Sequence, residues 1–338
     1  MTNLICRCAA LALLCVSFAF SQSKTMGSLS GTITDPSASS VPSAKITVIN
    51  TQTGASFTAL TDERGEYHVP LLPPGVYDTK IEKAGFAVQS QKGITVTVGE
   101  AAVADAKLTL SGSTQVVEVQ GEPPLIETQR TQQSNTITQQ SVRNLPIDRR
   151  DYLTFSLLAP GVSDSKALAD SNSFRVKQTP DSGLSFYGSN GRGNNVSIDG
   201  GESNDAGGGV RPTVSQEAVQ EFQINRTNYS AEHGEASGGV IDIVTKAGGN
   251  TTHGAAFGFF RHQSFDATDP FAVELTPDNR LLRVKPDAQR QQFGGTLGGP
   301  IAKDRTFYFV SFEQLRRRES KSVPVLTDAS IFQPTAAQ

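Results

Sequence analysis

Tryptophan is absent from this 338-residue sequence, methionine occurs twice and cysteine three times. All three cysteines, Cys6, Cys8 and Cys15, fall in the N-terminal leader, so the chain beyond it has neither a disulfide nor a thiol nucleophile. The four histidines, His68, His233, His253 and His262, stand singly, and no HxxE or HExxH arrangement offers a zinc-hydrolase site. Gly188, Gly191 and Gly193 do not make GxGxxG, and no GKS or GKT follows, which removes a phosphate loop. Asp199, Glu202 and Asp205 lack the alternating ligand series of a calcium loop, and there is no GxSxG elbow. Charge of one sign is also missing: the net charge of -3 leaves no basic surface for nucleic acid. The expectation is a protein that is not an enzyme, with no cofactor, no metal site and no nucleic-acid partner.

The longest early apolar run, Ala9 to Phe20, is about twelve residues, too short to span a bilayer as a helix. With Arg7 before it, and the small residues Ala19 and Ser21 at minus three and minus one of a cut before Gln22, residues 1–21 read as a cleaved secretory signal. A lipidated Cys15 is the rival reading, disfavoured by the bulky Leu13-Leu14 before it.

What the chain does have is glycine, 31 residues of it, with abundant Ser, Thr and Asn, a composition that favours strands and turns over helix. Residues 27–110 alternate short apolar strands with turn signals about every ten residues, the pattern of an antiparallel β-sandwich. Seven strands are predicted: Ser28–Thr34, Lys45–Asn50, Ser56–Leu60, Gly65–Val69, Val76–Lys83, Ile94–Val98 and Ala102–Leu110. In Pro73-Pro74-Gly75, Gly75 is expected to take the positive φ of a type II turn. Tyr67, Tyr77 and Phe86 are the aromatics available as a carbohydrate platform, although core or turn positions suit them better.

Residues 111–124 read as a linker holding one short strand, Thr114 to Gln120, closed by Pro123-Pro124. Beyond it, Asp148 to Leu158 predicts a short helix with Leu153, Leu157 and Leu158 on one face, ended by Pro160-Gly161. Asn195 to Asp199 predicts a strand ending in a Gly200-Gly201 turn. The stretch from Glu217 to Asn250 reads as two buried strands, around Phe222-Gln223-Ile224 and Val240 to Val244. Gly234, Gly238 and Gly239 between them suit left-handed backbone or close approach. After Gly249 come long Phe- and Gly-rich strands, His253–Phe265, Gln291–Gly298 and Thr306–Arg318. Asp266 to Arg290 is a long polar loop and Pro300 to Arg305 a tight one. Tyr308, Val310 and Phe312 share one face against Ser311 and Glu313, as lipid- and lumen-facing residues alternate in an outer-membrane barrel.

The sequence from Phe222 through the Tyr229-to-Gly234 turn to Gly238–Lys246 resembles the closing motif of the plug domain of TonB-dependent outer-membrane receptors. NYSAEHG followed by HGAAFGFFR resembles the Oar-like subgroup. GTITD at Gly31–Asp35, TDERGEYHVPLLPPGVY at Thr61–Tyr77 and AGF at Ala84–Phe86 resemble a carboxypeptidase-regulatory-like domain. Thr114, Gln115, Val116, Val117, Glu118 and Val119 look like the strand that recruits the TonB protein in such receptors, although Gln115 and Glu118 depart from its more apolar form.

The resemblance implies a mainly β chain. A prealbumin-like sandwich at 27–110 is followed by a TonB-box-like linker at 111–124, an α+β plug domain at 125–247 and the first strands of an incomplete transmembrane β-barrel at 248–338. Asp199, Gly200, Glu221, Tyr229, Gly234, Gly238 and Gly239 are its structural plug-motif residues. It further implies export to the outer membrane, contact with outer-membrane lipid, a TonB-type energy-coupling partner, and uptake of a small ligand of carbohydrate or metal-chelate class. A chain of this length is expected not to transport alone, since it has room for roughly four barrel strands. The opposing reading is a cell-surface or periplasmic carbohydrate-binding sandwich without transport.

Overall fold

A computed structural model describes residues 25–110, 118–120, 133–145, 152–164, 184–189, 193–204, 214–229, 233–234, 236–268, 273–275, 280–283, 285 and 287–319. The signal expected at 1–21 lies outside these residues, as do Thr114 to Val117.

Two sheets make the N-terminal sandwich. The first joins β1 (Gly27–Thr34) to β4 (Glu66–Leu72) and β7 (Ala101–Val103), with β8 (Ala106–Lys107) also on β1. The second runs in the order β3 (Ser56–Leu60), β2 (Lys45–Asn50), β5 (Gly75–Glu82), β6 (Gln89–Val96) and β9 (Glu118–Gln120). Strand alternation supplies the core between them. Leu29 and Ile33 from β1, Ile46 and Val48 from β2, Tyr77 and Ile81 from β5 all turn inward and are fully buried. Tyr67, also buried in this core, donates its hydroxyl to the Ala104 carbonyl at 2.8 Å. Phe86 packs against the core, so none of the three aromatics forms an open platform.

Three sequence expectations change here. The strand expected at Ala102–Leu110 divides into β7 and β8, which pair parallel to β1, so the sandwich is not uniformly antiparallel. Ala104 and Asp105 cause the break: the Asp105 carboxylate accepts from Thr32 N–H at 2.7 Å, replacing a ladder bond with a side-chain bond. Gly75 opens β5 without a positive φ; Leu71 (φ 58) and Gly65 (φ 74) take the left-handed positions in this part of the chain. Gly65 closes a turn in which the Asp62 carboxylate accepts from Arg64 and Glu66 N–H, both at 2.9 Å.

The central unit is a five-stranded sheet in the order β10 (Gln133–Ile137), β15 (Val219–Thr227), β16 (Val240–Thr245), β13 (Asn195–Ile198) and β14 (Gly201–Glu202). β15 and β16 form the antiparallel pair read from the sequence, and β13 lies parallel to β16. The β13–β14 hairpin turns on Asp199 (φ 49) and Gly200 (φ 84), the paired positive angles of a tight two-residue loop. A short hairpin of β11 (Val162–Asp164) and β12 (Leu184–Phe186) and a helix, α1 (Gln139–Asn144), cover the sheet. Thr138 caps α1 by accepting from Ser141 N–H. The helix expected at Asp148 to Leu158 is a 3-10 turn over Tyr152–Leu158; it buries Leu153, but Leu158 is 61% exposed. Five residues along a 3-10 turn is a rotation of about 240°, which sets Leu158 off the face that Leu153 occupies.

The third region is a sheet of β17 (His253–His262), β20 (Ala288–Ala302) and β21 (Thr306–Glu319), all antiparallel. Fourteen residues in β21 span roughly 45 Å, enough to cross a hydrocarbon layer. Leu297 pairs with Val310 and Gly295 with Phe312, which places one apolar face outward: Val310 is 60% and Phe312 58% exposed. The opposite face carries Gln292 and Glu313, which hydrogen-bond each other. The loop between β17 and β20 contains a small hairpin, β18 (Val273–Leu275) with β19 (Leu281–Arg283), and the β20–β21 turn is tight around Asp304 (φ 60). No described helix is long and apolar enough to cross a membrane, which says nothing of crossing by strands.

Candidate partner-binding site and interdomain contacts

The short strand expected to recruit a partner is β9, and its backbone lies on the outer edge of β6. The pairing is parallel, with Ser90 opposite Glu118, Gln91 opposite Val119 and Lys92 opposite Gln120. An edge strand offers unpaired amides and carbonyls to any extended segment, and here the chain fills its own edge. Thr114, Gln115, Val116 and Val117 lie outside the described residues; Glu118 and Val119 are the part of the predicted set whose backbone is described.

The predicted plug-motif residues gather around the β15–β16 pair. Asp199 accepts from Thr245 N–H at 2.9 Å and Thr245 Oγ1 at 2.7 Å, which fastens the β13 turn to the end of β16. Tyr229 donates to the carbonyls of Ala236 at 3.0 Å and Gly238 at 3.1 Å and stacks edge-on to His233. Gly238 and Gly239 are required by close approach and not by a left-handed backbone. A Cβ on Gly238 would meet Asn194 Oδ1 at 2.2 Å, and one on Gly239 would meet the Phe186 ring at 2.4 Å. Gly234 shows neither demand: nothing among the described residues lies within 4 Å of the Cβ position and its φ is not positive. Asn194 ties this corner together, donating to Leu184 O at 2.6 Å and accepting from Gly239 N–H at 3.0 Å.

Two buried carboxylates stand in this sheet: Asp242, which the sequence reading did not single out, and Glu221, which it singled out only by resemblance. Asp242, 1% exposed in the middle of β16, accepts from Ser197 Oγ at 2.6 Å and Asn225 Nδ2 at 3.2 Å, with His233 Nε2 at 3.9 Å. Glu221 is 6% exposed and accepts from the backbone N–H of Val98, in the sandwich, at 2.5 Å. Burial, with the negative charge of Glu100 nearby, pushes its carboxyl up to about 7, against the opposing pull of the Val98 hydrogen bond. A single acid in an otherwise apolar strand, as in VIDIV and VQEFQI, is the sequence signal that marks both. Their partners lie too far along the chain to be inferred.

Glu221 belongs to a wider contact in which loops at one end of the sandwich meet the rest of the chain. Gln223 Nε2 donates to Val98 O at 3.0 Å, Gln220 Nε2 donates to Pro74 O at 3.1 Å, and Asn250 N–H donates to Gln52 O at 2.8 Å. The central unit in turn touches the polar face of the long-strand sheet through Ser215 Oγ and Glu313. A cleft of about 350 Å³ opens where these regions meet, lined by Arg143, Glu217, Lys246 and His253 among others. Burial lowers the Lys246 ammonium below its ordinary value, with Arg143 adding to the effect, and its Nζ donates to Glu217 O at 2.6 Å. Among the described residues no three His, Cys, Asp or Glu side chains are placed to hold a metal.

Residues 28–109 match the carboxypeptidase regulatory-like domain family, and residues 244–338 match an outer membrane beta barrel domain family. The chain is 30% identical over 311 residues to the TonB-dependent transporter Oar of Myxococcus xanthus, an alignment that takes in 88% of this chain and 27% of that protein. The chain thus spans about a quarter of the length of this curated relative. Among solved structures, the siderophore receptor PirA of Acinetobacter baumannii is similar at 20% identity and a TM-score of 0.36, covering 54% of this chain and 24% of the receptor. The outer membrane transporter YddB of Escherichia coli is similar at 13% identity and a TM-score of 0.38, covering 54% of this chain and 26% of the transporter.

Proposed function

From the premise that the chain belongs to the TonB-dependent outer-membrane receptors of the Oar type, with a carboxypeptidase regulatory-like domain ahead of the receptor segments, we propose that it forms the N-terminal part of a receptor for energy-coupled ligand uptake. The protein is directed to the outer membrane. In this reading 1–21 is a cleaved signal, 27–110 the sandwich, 111–124 the TonB-box-like linker, 125–247 the plug and 248–338 the opening strands of the barrel. The chain alone is not transport-competent, and its work is binding and coupling without catalysis. The ligand is a small molecule of metal-chelate or carbohydrate class.

The observation that carries the reading is the two-faced sheet of β17, β20 and β21. Its apolar face, with Val310 and Phe312, has no protein partner among the described residues, while its polar face meets the central unit through Ser215 and Glu313. Lipid on one side and a plug on the other is the environment that this asymmetry suits. Closing the barrel requires further strands, because each unpaired backbone group in hydrocarbon costs several kcal/mol. The sandwich-only carbohydrate reading is less well supported, since Tyr67 and Tyr77 are committed to the core.

Partner recruitment through Thr114 to Gln120 is tested with a TonB-type periplasmic domain as bait. The 338-residue chain is expected to be retained. Val117→Pro is expected to lose retention, because proline removes a donor that an added strand needs. Equal retention of the variant would move the contact out of this segment.

A further inference from the structure

The sandwich is not merely strung in front of the central unit; one of its turns is gripped by β15. Val98 presents its N–H to the Glu221 carboxylate at 2.5 Å and its carbonyl to Gln223 Nε2 at 3.0 Å, so both backbone groups of one residue are held by side chains 123 and 125 positions later. Gly99, next to it, has φ +64, and a Cβ there would lie 2.4 Å from Gln223 Oε1, so the grip closes only around glycine. Thr136 on β10 donates to Glu100 on the far side of the turn at 3.3 Å.

This contact buries a carboxylate, with a second carboxylate, Glu100, across the interface. We infer that Glu221 is a proton-dependent latch, which holds the sandwich against the central unit when protonated and loosens it when ionised. Glu100 from the sandwich turn faces it; on β16, Asp242 and Lys246 flank Val244, the residue opposite Glu221, with the Asp242 carboxylate occupied by Ser197 and Asn225 and the Lys246 ammonium by the Glu217 carbonyl. β10 contributes no charged side chain. The Glu100 charge opposes the ionisation of Glu221.

The sign follows from linkage. Undocked and exposed, Glu221 titrates near its ordinary 4.5; docked, it titrates at about 7. The docked state therefore holds an extra proton between these values. Docking is strongest below 4.5, weakens as pH rises through this window, and levels off above about 7. Between pH 5 and pH 8 the docking equilibrium is expected to fall about 70-fold. The inference goes beyond the uptake reading and does not depend on it, since the contact lies within this chain.

The cysteine-free sequence beyond Cys15 makes the test direct. Dyes on Arg64→Cys in the sandwich and Asn144→Cys at the end of α1, both exposed positions, report the separation of the two units by energy transfer in a chain whose Cys6, Cys8 and Cys15 are changed to serine. The docked fraction is expected to drop as pH rises from 5 to 8. Glu221→Gln, whose amide oxygen still accepts from Val98, is expected to stay docked across the range. Glu100→Gln, in a half-buried turn, is expected to lower the docked-state midpoint and so flatten the pH dependence without abolishing it. A wild-type signal that does not change with pH would overturn the inference. So would a Glu221→Gln chain that follows the wild-type curve. If Glu221→Gln fails to fold by circular dichroism, the Glu100→Gln shift alone decides: no change in slope refutes the latch.

Discussion

Gly239→Ala inserts one methyl group where the structure has no room for it, and the consequence can be worked out atom by atom. The new Cβ would lie 2.4, 2.5 and 2.6 Å from three ring carbons of Phe186. Ordinary carbon contacts begin about 1 Å farther out. Phe186 cannot yield that distance freely, because it is buried in the central core. Its backbone is pinned by β11, and its N–H is held by Ser189 Oγ at 3.0 Å. Gly239 is equally fixed by the Asn194 bond at its own N–H. Overpacking of this kind costs about 1–3 kcal/mol, and with both partners held the upper half of that range is expected. Trimming the ring should relieve it: Phe186→Leu with Gly239→Ala is expected to be at least about 1 kcal/mol less destabilised than the sum of the single changes. Hydrogen exchange of β15 and β16 peptides in the whole chain, measured across a urea series, reads the effect, and peptides from β2 and β5 serve as an internal control. A loss below about 0.5 kcal/mol, or strict additivity, would refute the claim that Gly239 is there for close approach.

Other consequences are simpler to check. Asn194→Ala leaves the buried Leu184 carbonyl and Gly239 N–H without partners and is expected to cost about 2–4 kcal/mol in the same exchange experiment. Tyr67→Phe deletes the buried bond to Ala104 and is expected to destabilise the sandwich by about 1–2 kcal/mol, read from β1 and β4 peptides, with the central sheet unaffected. Limited proteolysis of the 338-residue chain is expected to leave a resistant core near residues 27–110 and to cut early beyond Gly249, because an open barrel edge is unprotected. Protection through Arg318 in a monomer free of detergent would contradict that.

The parts of the fold that were legible in the sequence are those set by local pattern. Ile46 and Val48 in β2, and Tyr77 and Ile81 in β5, alternate with polar neighbours and turn inward as a period of two requires. Asp199-Gly200 marked its turn by composition, and the apolar run at Val240–Val244 marked a strand buried on both faces. The parallel attachment of β7, β8 and β9 was not legible, because strand periodicity says nothing of the partner's direction. Gly75 misled for a related reason: a glycine after proline fits a type II turn, but the strain was placed at Leu71, where composition gives no hint. Most of what concerns function lay in long-range contacts. Glu221 was picked out by resemblance, yet its bond to Val98 joins residues from two folding units, and only coordinates bring them together.

The central claim, that residues 125–247 plug a barrel begun by β17, β20 and β21, turns on the contact between Ser215 and Glu313. Placing cysteines at both positions in the full-length receptor, and treating isolated outer membranes with a short bifunctional thiol reagent, tests it. The account expects an internally linked species of shifted mobility in the outer-membrane fraction, absent from either single-cysteine chain. Receptor recovered in that fraction without the link would contradict a plug seated against these strands.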